Sequence, residues 1–575
     1  MNNLYGPSTS HPLIQHLSDM SNSCATVMEK VAGDEMKSSQ VDDNIESGRG
    51  ESIPVQEQND QLERGLKPRH VNMFAIAGSL GTGIIIAMGK ALRAGGPGNV
   101  LIAFVLMGAA TYFVMTALAE MAVFAPRKKG FSGYATRYMD PALGFATGWN
   151  YFLKYSALLA NNLTAAGLII SYWRSDINLG VWIAVFGVCI IALNFLKVVW
   201  FGEVEFWFAV AKVLVLVTLI LTCFTISLGG QPSGERIGFR YWSDPGAFAK
   251  YIYGGSAGAF CGFWVCFINS AFLYIGFESV AITFGESRNP RKTIPRAIRQ
   301  TAYRILVFYF GGLISVSMAI PYTSEKLLGA TKSKTSAAAS PFVIAIQQAG
   351  IKYLPGIING CLLLFVFSFS NSDIYLASRT LYGLAKDGQA PKFFTRTTKH
   401  GVPYFAVIAS SLFISLAFLN TTKASSVVFG YLISLTTVLG AVNWANILLS
   451  YFNFHRGLKA QGFSRGDLPW RGILQPYGAY YAAFTTFLVL VFSGWEAFVP
   501  KFDPVKFVVG YVGILVWIIN ILAFKYWKKT KYVTPLAMDL ETDVLTVAQL
   551  DAEDAAESKT KLIFFQRIKG ALWGQ

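Results

Sequence analysis

Apolar residues in this chain fall in long unbroken runs rather than in the one-sided stripes of a soluble helix. Stretches such as 100–124, 179–196, 305–321, 404–419 and 507–524 carry at most one charge each. A helix needs about 20 apolar residues to cross the hydrocarbon core of a bilayer. The runs predict spans near 72–93, 98–124, 143–171, 179–197, 205–228, 257–285, 302–322, 355–383, 402–419, 425–450, 478–497 and 506–524. The fold class expected is therefore an all-α membrane protein of about twelve transmembrane helices. Residues 1–69, rich in Ser, Asn, Asp, Glu and Gln, read as a disordered tail. Residues 70–524 form the transmembrane domain, and 525–575 a second tail that opens on Lys525, Lys528, Lys529 and Lys531. No apolar signal-peptide core precedes the first run.

Composition agrees: 53% of residues are hydrophobic and only 14% charged, too few for the surfaces of a soluble protein this long. The net charge of +16 is placed by topology and requires no nucleic-acid partner. With the amino terminus inside, the inner loops hold Arg127, Lys128, Lys129, Arg137, Arg288, Arg291, Lys292, Arg296, Arg299, Lys386, Lys392, Arg396, Lys399, Arg456, Lys459, Arg465 and Arg471. The outer loops hold chiefly Arg236, Arg240, Lys332 and Lys334. This asymmetry predicts both termini in the cytoplasm, and basic loops attract anionic lipid. The cysteines fall in spans and in the inner tail, so no disulfide framework is expected.

Channel, membrane enzyme, structural protein and transporter compete at this point, and two segments separate them. The first span contains Gly78-Ser79-Leu80-Gly81-Thr82-Gly83, glycines dense enough to interrupt a helix. The sixth contains Tyr274-Ile275-Gly276-Phe277-Glu278-Ser279, a glycine beside a carboxylate in apolar surroundings. Broken helices at matching positions of two halves point to a secondary transporter with inverted repeats. The amides of Ser79, Gly81, Thr82 and Gly83 at a half-helix start suit an α-carboxylate. The carbonyls of the sixth break suit an α-ammonium, and Glu278 within it can hold an ammonium, hold a proton or brace the break.

Longer motifs carry a family resemblance. They are the first-span glycines, Leu118-Ala119-Glu120-Met121-Ala122, Gly148-Trp149-Asn150-Tyr151, Gly202-Glu203-Val204-Glu205-Phe206-Trp207-Phe208 leading to Lys212, Gly285-Glu286-Ser287-Arg288-Asn289-Pro290-Arg291-Lys292, and Asn371-Ser372-Asp373 through Ser378-Arg379-Thr380-Leu381-Tyr382-Gly383. Over about residues 65–530 the chain resembles the fungal amino-acid permeases of the amino acid–polyamine–organocation superfamily. The resemblance implies a plasma-membrane amino-acid:proton symporter with a five-plus-five inverted repeat and two extra helices. It also implies coupling through a fifth-span lysine, carried here to Lys212, and a gating aromatic near the sixth break, carried to Phe277. Relatives with an aromatic-cysteine terminus differ from this chain, which ends Ala571-Leu572-Trp573-Gly574-Gln575.

Charges inside spans cost about 2.5–3.5 kcal/mol each on insertion scales, so each needs a reason. Glu120 and Lys212 are assigned to proton coupling and Glu278 to the substrate site. Glu203 and Glu205 are expected to pair with loop arginines, and Asp373 with Arg379. The third span reads Asn161-Asn162-Leu163-Thr164-Ala165-Ala166. As the resemblance is understood, basic and several general carriers of the family have a glutamate where Asn162 stands. Asn162 removes a repulsion and supplies N–H donors, which favours glutamate or aspartate and resembles the dicarboxylic branch. A neutral or broad-range permease, or a non-transporting sensor of the same fold, is the alternative. No cofactor, metal site, P-loop or enzymatic nucleophile–base pair is expected. In the first tail Lys30 and Lys37 offer attachment points for ubiquitin or trafficking machinery.

Overall fold

The computed structural model describes residues 81–542 except 82, 126–129, 175, 197, 233, 281–289, 326, 328–339 and 422–424. Ser79, Thr82, Lys30, Lys37, the 1–69 tail and residues 285–289 of the loop motif thus lie outside the described residues.

Among the described residues every regular element is helical. Eight stretches are long and apolar enough to cross a membrane, and one of them, Gly83–Phe124, holds the first two spans. They meet at Gly96, whose φ of 75° suits glycine, followed by Pro97. The third span (Pro141–Ile170) and the shorter apolar helices Leu179–Asn194 and Tyr404–Leu419 complete a twelve-span arrangement. Polar caps set several starts: Asp140 accepts from the Ala142 amide ahead of the third span, Asn178 from Gly180 ahead of the fourth, and Asp503 from Val505 ahead of the twelfth.

The remaining spans are the fifth (Val198–Ser227), sixth (Gly255–Tyr274, then a break), seventh (through Gly311–Ala319), eighth (Leu354–Lys386), tenth (Ser425–Ala460), eleventh (Tyr477–Phe492) and twelfth (Pro504–Lys528). Their contacts come in matched pairs. The third packs on the tenth as the eighth packs on the fifth, and the third touches the ninth as the eighth touches the fourth. The third meets the fourth as the eighth meets the ninth, and the second meets the tenth as the seventh meets the fifth. Shifting each number by five converts one member of a pair into the other, as a five-plus-five repeat requires. The third and eighth spans, equivalent members of the two halves, pack directly together at the centre.

Small residues bring the first and sixth spans backbone to backbone. A Cβ built on Gly95 would stand 2.2 Å from Cys266 Sγ, and one on Gly262 2.9 Å from the Ala94 carbonyl. The window of the twelfth span is 17% buried and that of the tenth 78%, so the former faces lipid and the latter is internal.

The twelfth span ends at Lys529, left-handed at φ 50°, and the chain continues as a strap across the basic end of the bundle. Val533 N–H donates to the Met139 carbonyl at 2.7 Å, and Gln461 Nε2 donates to Pro535 and Met538 carbonyls at 3.1 and 2.7 Å. Met538 and Leu540 are buried. Arg137 Nε donates to the Asp539 carbonyl at 2.6 Å and its Nη2 to Asp539 Oδ1 at 3.1 Å and the Thr542 carbonyl at 2.8 Å. Burial pushes the Asp539 carboxyl up, but hydrogen bonds from Thr542 and the Arg137 charge outweigh it and hold the group below its ordinary value. A lowered carboxyl pKa contributes stability above the ordinary carboxylate range and loses it as pH falls through the lowered value. The strap should therefore stay docked throughout neutral pH. Arg137→Ala removes three donor contacts, two of them to carbonyls, and should speed proteolytic cleavage within 529–542 by about tenfold or more. Limited proteolysis of purified protein reads this, and an unchanged rate would show that Arg137 does not hold the strap.

Candidate functional site

The sixth span stops being a helix at its midpoint. Ile275 is extended, Gly276 is left-handed at φ 103°, and a single 3₁₀ turn covers Phe277–Ser279. The break predicted here is present, and its glycine supplies a backbone conformation that side chains resist. The freed groups are satisfied locally. Gly276 N–H donates to Glu278 Oε2 at 3.1 Å, and Ser279 N–H and Oγ donate to the Gly276 carbonyl at 3.1 and 2.6 Å. The first-span counterpart is described from Gly83 onward, and Gly83–Ala87 is a widened π-helical turn.

Glu278 is fully buried and faces Lys154 of the third span, also fully buried. Lys154 Nζ bonds Glu278 Oε1, and Trp444 Nε1 of the tenth span donates to Oε2 at 3.3 Å. Two rings cup the ammonium, with Nζ 4.1 Å from the Tyr155 centroid and 4.8 Å from that of Tyr151. This pair thus joins three spans at the break. Lys154 was missed in the sequence reading, although the rule that singled out Lys212, a charge inside a span, applies to it equally.

A second charged group lies between the fifth and eighth spans. Lys212, fully buried, donates to Glu205 Oε1 at 3.3 Å. Seven residues apart, they share one helix face. Ser368 Oγ donates to both Glu205 oxygens, at 2.7 and 2.9 Å. This corrects the assignment of Glu205 to loop arginines, because its face points into the bundle. Lys212 Nζ stands 4.8 Å from the Phe369 ring, and a Cβ on Gly81 would stand 2.8 Å from the same ring. One aromatic ring therefore links the fifth-span lysine to the start of the first-span turn.

Asp373 is buried at the interface of the third and eighth spans, where Asn162 Nδ2 donates to its Oδ2 at 2.6 Å. Arg379 instead lies over Tyr375, 4.6 Å from its centroid. Six residues on a helix are turned about 120° apart, so Asp373 and Arg379 cannot face one partner. The Asn162 amide nitrogen, expected to serve substrate, gives one of its two N–H donors to Asp373.

Glu120 lies away from these groups, at the basic end. Its Oε1 accepts from Arg465 Nη2 and the Gly472 amide, each at 2.7 Å, and its Oε2 from Tyr451 OH at 2.7 Å. It ties the second span to the tenth and to the segment leading into the eleventh. Phe277 is buried against Tyr274 and Tyr309, with the Arg304 guanidinium 3.8 Å from its centroid.

A profile described as Amino acid permease matches residues 70–535. The chain is 49% identical over 483 residues to an uncharacterized amino-acid permease of Schizosaccharomyces pombe, covering 84% of this chain and 92% of that one. To the dicarboxylic amino acid permease of Saccharomyces cerevisiae it is 45% identical over 505 residues, 86% of this chain and 83% of that one. To a proline-specific permease of Emericella nidulans it is 38% identical over 494 residues, covering 85% and 89%.

The Phe369 contact sharpens what Gly81 does. Gly81→Val should abolish uptake while surface abundance persists, because the added branch meets the ring. If the clash is the cause, Phe369→Leu added to Gly81→Ala should restore uptake relative to Gly81→Ala alone. If close approach of a ligand to the Gly81 backbone is the cause, the second change restores nothing. Radiolabelled uptake normalised to surface protein distinguishes them.

Proposed function

As this chain belongs to the amino acid permease family, we propose that it imports amino acids by proton symport and that glutamate and aspartate are its substrates. The observation that carries this reading is the buried Lys154–Glu278 pair at the sixth-span break. An acidic amino acid brings one cation and two carboxylates. Its α-ammonium takes the place of Lys154 on Glu278, its side-chain carboxylate takes the place of Glu278 on Lys154, and its α-carboxylate meets the amides around Ser79–Gly83. Each buried charge keeps a partner through the exchange. The 45% identity to a relative named as a dicarboxylic amino acid permease supports the same substrate class.

Orientation and drive follow the charge pattern. The basic face, with Arg465 and the strap, is the cytoplasmic one, and the protein resides in the plasma membrane with both termini inside. A proton moving inward gains about 2.3 kcal/mol per 100 mV, but glutamate or aspartate carries one net negative charge with it, so a one-proton cycle is electroneutral and is driven by the pH gradient. Lys212, buried beside the eighth span and linked through Phe369 to Gly81, belongs to the coupling machinery. Glu120 anchors the inner ends of the second and tenth spans and holds them while the break moves.

In proteoliposomes, glutamate and aspartate should displace labelled glutamate better than leucine, proline or lysine does. Lys154→Met should raise the KM for glutamate by about ten- to a hundredfold, some 1.4–2.8 kcal/mol, and that for glutamine far less. Best competition by leucine, proline or lysine would overturn the acidic assignment and leave a neutral, basic or broad-range permease. Separately, Lys212→Met should suppress gradient-driven accumulation more than exchange of labelled for unlabelled substrate. Normal accumulation in that variant removes Lys212 from coupling.

A further inference from the structure

Among the described residues, five ionisable side chains cluster in the bundle interior: Lys154, Lys212, Glu205, Glu278 and Asp373. Two are cations and three are carboxyl groups, so full ionisation leaves one excess negative charge (3 − 2 = 1). Two carboxyls have an ammonium against them, Glu278 by Lys154 and Glu205 by Lys212. The third, Asp373, is hydrogen-bonded to an amide, Asn162.

The surroundings of Asp373 are defined on each side of the eighth span. The third span presents Lys154, Tyr151, Tyr155 and Asn162, and the fifth presents Glu205 and Lys212. The fourth presents Asn194, whose Nδ2 donates to Asn371 Oδ1 at 2.9 Å. Asp373 thus lies within electrostatic reach of both lysines, each already bonded to another carboxylate. Arg304 lies over Phe277 beside Tyr309 and Glu120 is bonded to Arg465, and neither is among the charged groups that act on Asp373.

We infer that Asp373 is the residue that carries the coupling proton, and this rests on the symport reading above. The cluster with Asp373 ionised has one uncompensated charge in a membrane interior, where such charge is expensive. Adding one proton makes it neutral while leaving both lysines charged and each matched by a carboxylate. The step is an acid–base one. The Asp373 carboxylate takes a proton from a hydronium ion in the water that delivers substrate, the hydronium O–H bond breaking as the carboxyl O–H bond forms. The protein's own cluster is then neutral, and the conformational change carries only the single net negative charge of the bound acidic amino acid. On the opposite side the O–H bond breaks and the proton leaves to water. Asn162 is the positioning residue that fixes the carboxyl between the third and eighth spans, so the proton is held on the two helices that meet at the repeat axis. Lys212 then acts as a fixed countercharge to Glu205.

Two experiments on the full chain in liposomes test this. Asp373→Asn should abolish accumulation against a gradient and substrate-induced proton uptake, while exchange of labelled for unlabelled glutamate stays within about threefold. In the unaltered protein, a membrane-permeant carbodiimide, which adds to protonated carboxyls, should modify Asp373 and spare Glu205 and Glu278, as peptide mass spectrometry would show. That measurement needs no variant and stands if Asp373→Asn fails to fold. Coupled accumulation persisting in Asp373→Asn, or an adduct on Glu205 or Glu278 with Asp373 unmodified, overturns the assignment. If the unaltered protein moves glutamate with no proton at any pH, the symport reading itself falls, which is a distinct result.

Discussion

A charge buried in a membrane protein must find its opposite, and the contact between Lys154 and Glu278 is where this requirement shapes the molecule most. Glu278 stands two residues beyond Gly276, which turns left-handed and frees its amide from the helix. The carboxylate then satisfies that same amide as well as the Trp444 indole and the Lys154 ammonium. Without the break, the amide would be helical and Glu278 would have one donor fewer. Without Lys154, an ionised carboxylate would sit uncompensated among aromatic rings. Break and ion pair thus support one another, and the third, sixth and tenth spans are held together by it.

The same requirement explains the hydrophobic grading of the spans. The third span packs on the fourth, eighth, ninth, tenth and twelfth, and carries Asn150, Lys154, Asn161 and Asn162, all buried. It is excluded from the set recognised by length and apolarity alone, because its surroundings are protein rather than lipid. The twelfth span, which faces lipid, is almost purely apolar. Polar residues therefore mark interior position here, the reverse of the rule for soluble helices. Hydrogen bonds between spans follow the repeat as well. Asn150 donates to Asn443 across the third and tenth spans at 2.9 Å, and Ser368 donates to Glu205 across the eighth and fifth.

Much of the architecture was legible because it depends on local properties. Run length gives the spans, and Gly276 beside Glu278 gives the sixth break. The partners were harder to see. Lys212 was recognised as buried, yet Glu205, seven residues earlier, was assigned to loop arginines although a period of 3.6 places it on the same face. Asp373 was assigned to Arg379 within its own helix, while the structure gives it Asn162 from another. Such pairings depend on how each helix is rotated about its axis. That rotation is set by packing at glycines such as Gly95 and Gly262, whose crowding appears only in three dimensions. Lys154 belongs to the same class as Lys212, a cation inside a span, and its partner Glu278 comes from another helix.

The ion pair also bears on how a pocket prefers one substrate charge over another. On the reading proposed above, a neutral amino acid offers its ammonium to Glu278 while its α-carboxylate is held at the first-span amides, so Lys154 loses its carboxylate and receives none in return. The ammonium left behind is wholly enclosed, with the faces of Tyr151 and Tyr155 against it and its bond to Glu278 lost. Leaving a buried charge without its partner costs several kcal/mol, far more than a missing apolar contact. A basic amino acid is worse placed, since its second cation meets Lys154 itself. On that reading a ligand bearing a second carboxylate restores the lost bond. Selectivity in such a site arises chiefly from the penalty on wrong ligands, and attraction to the right one adds little beyond replacing what the protein already had.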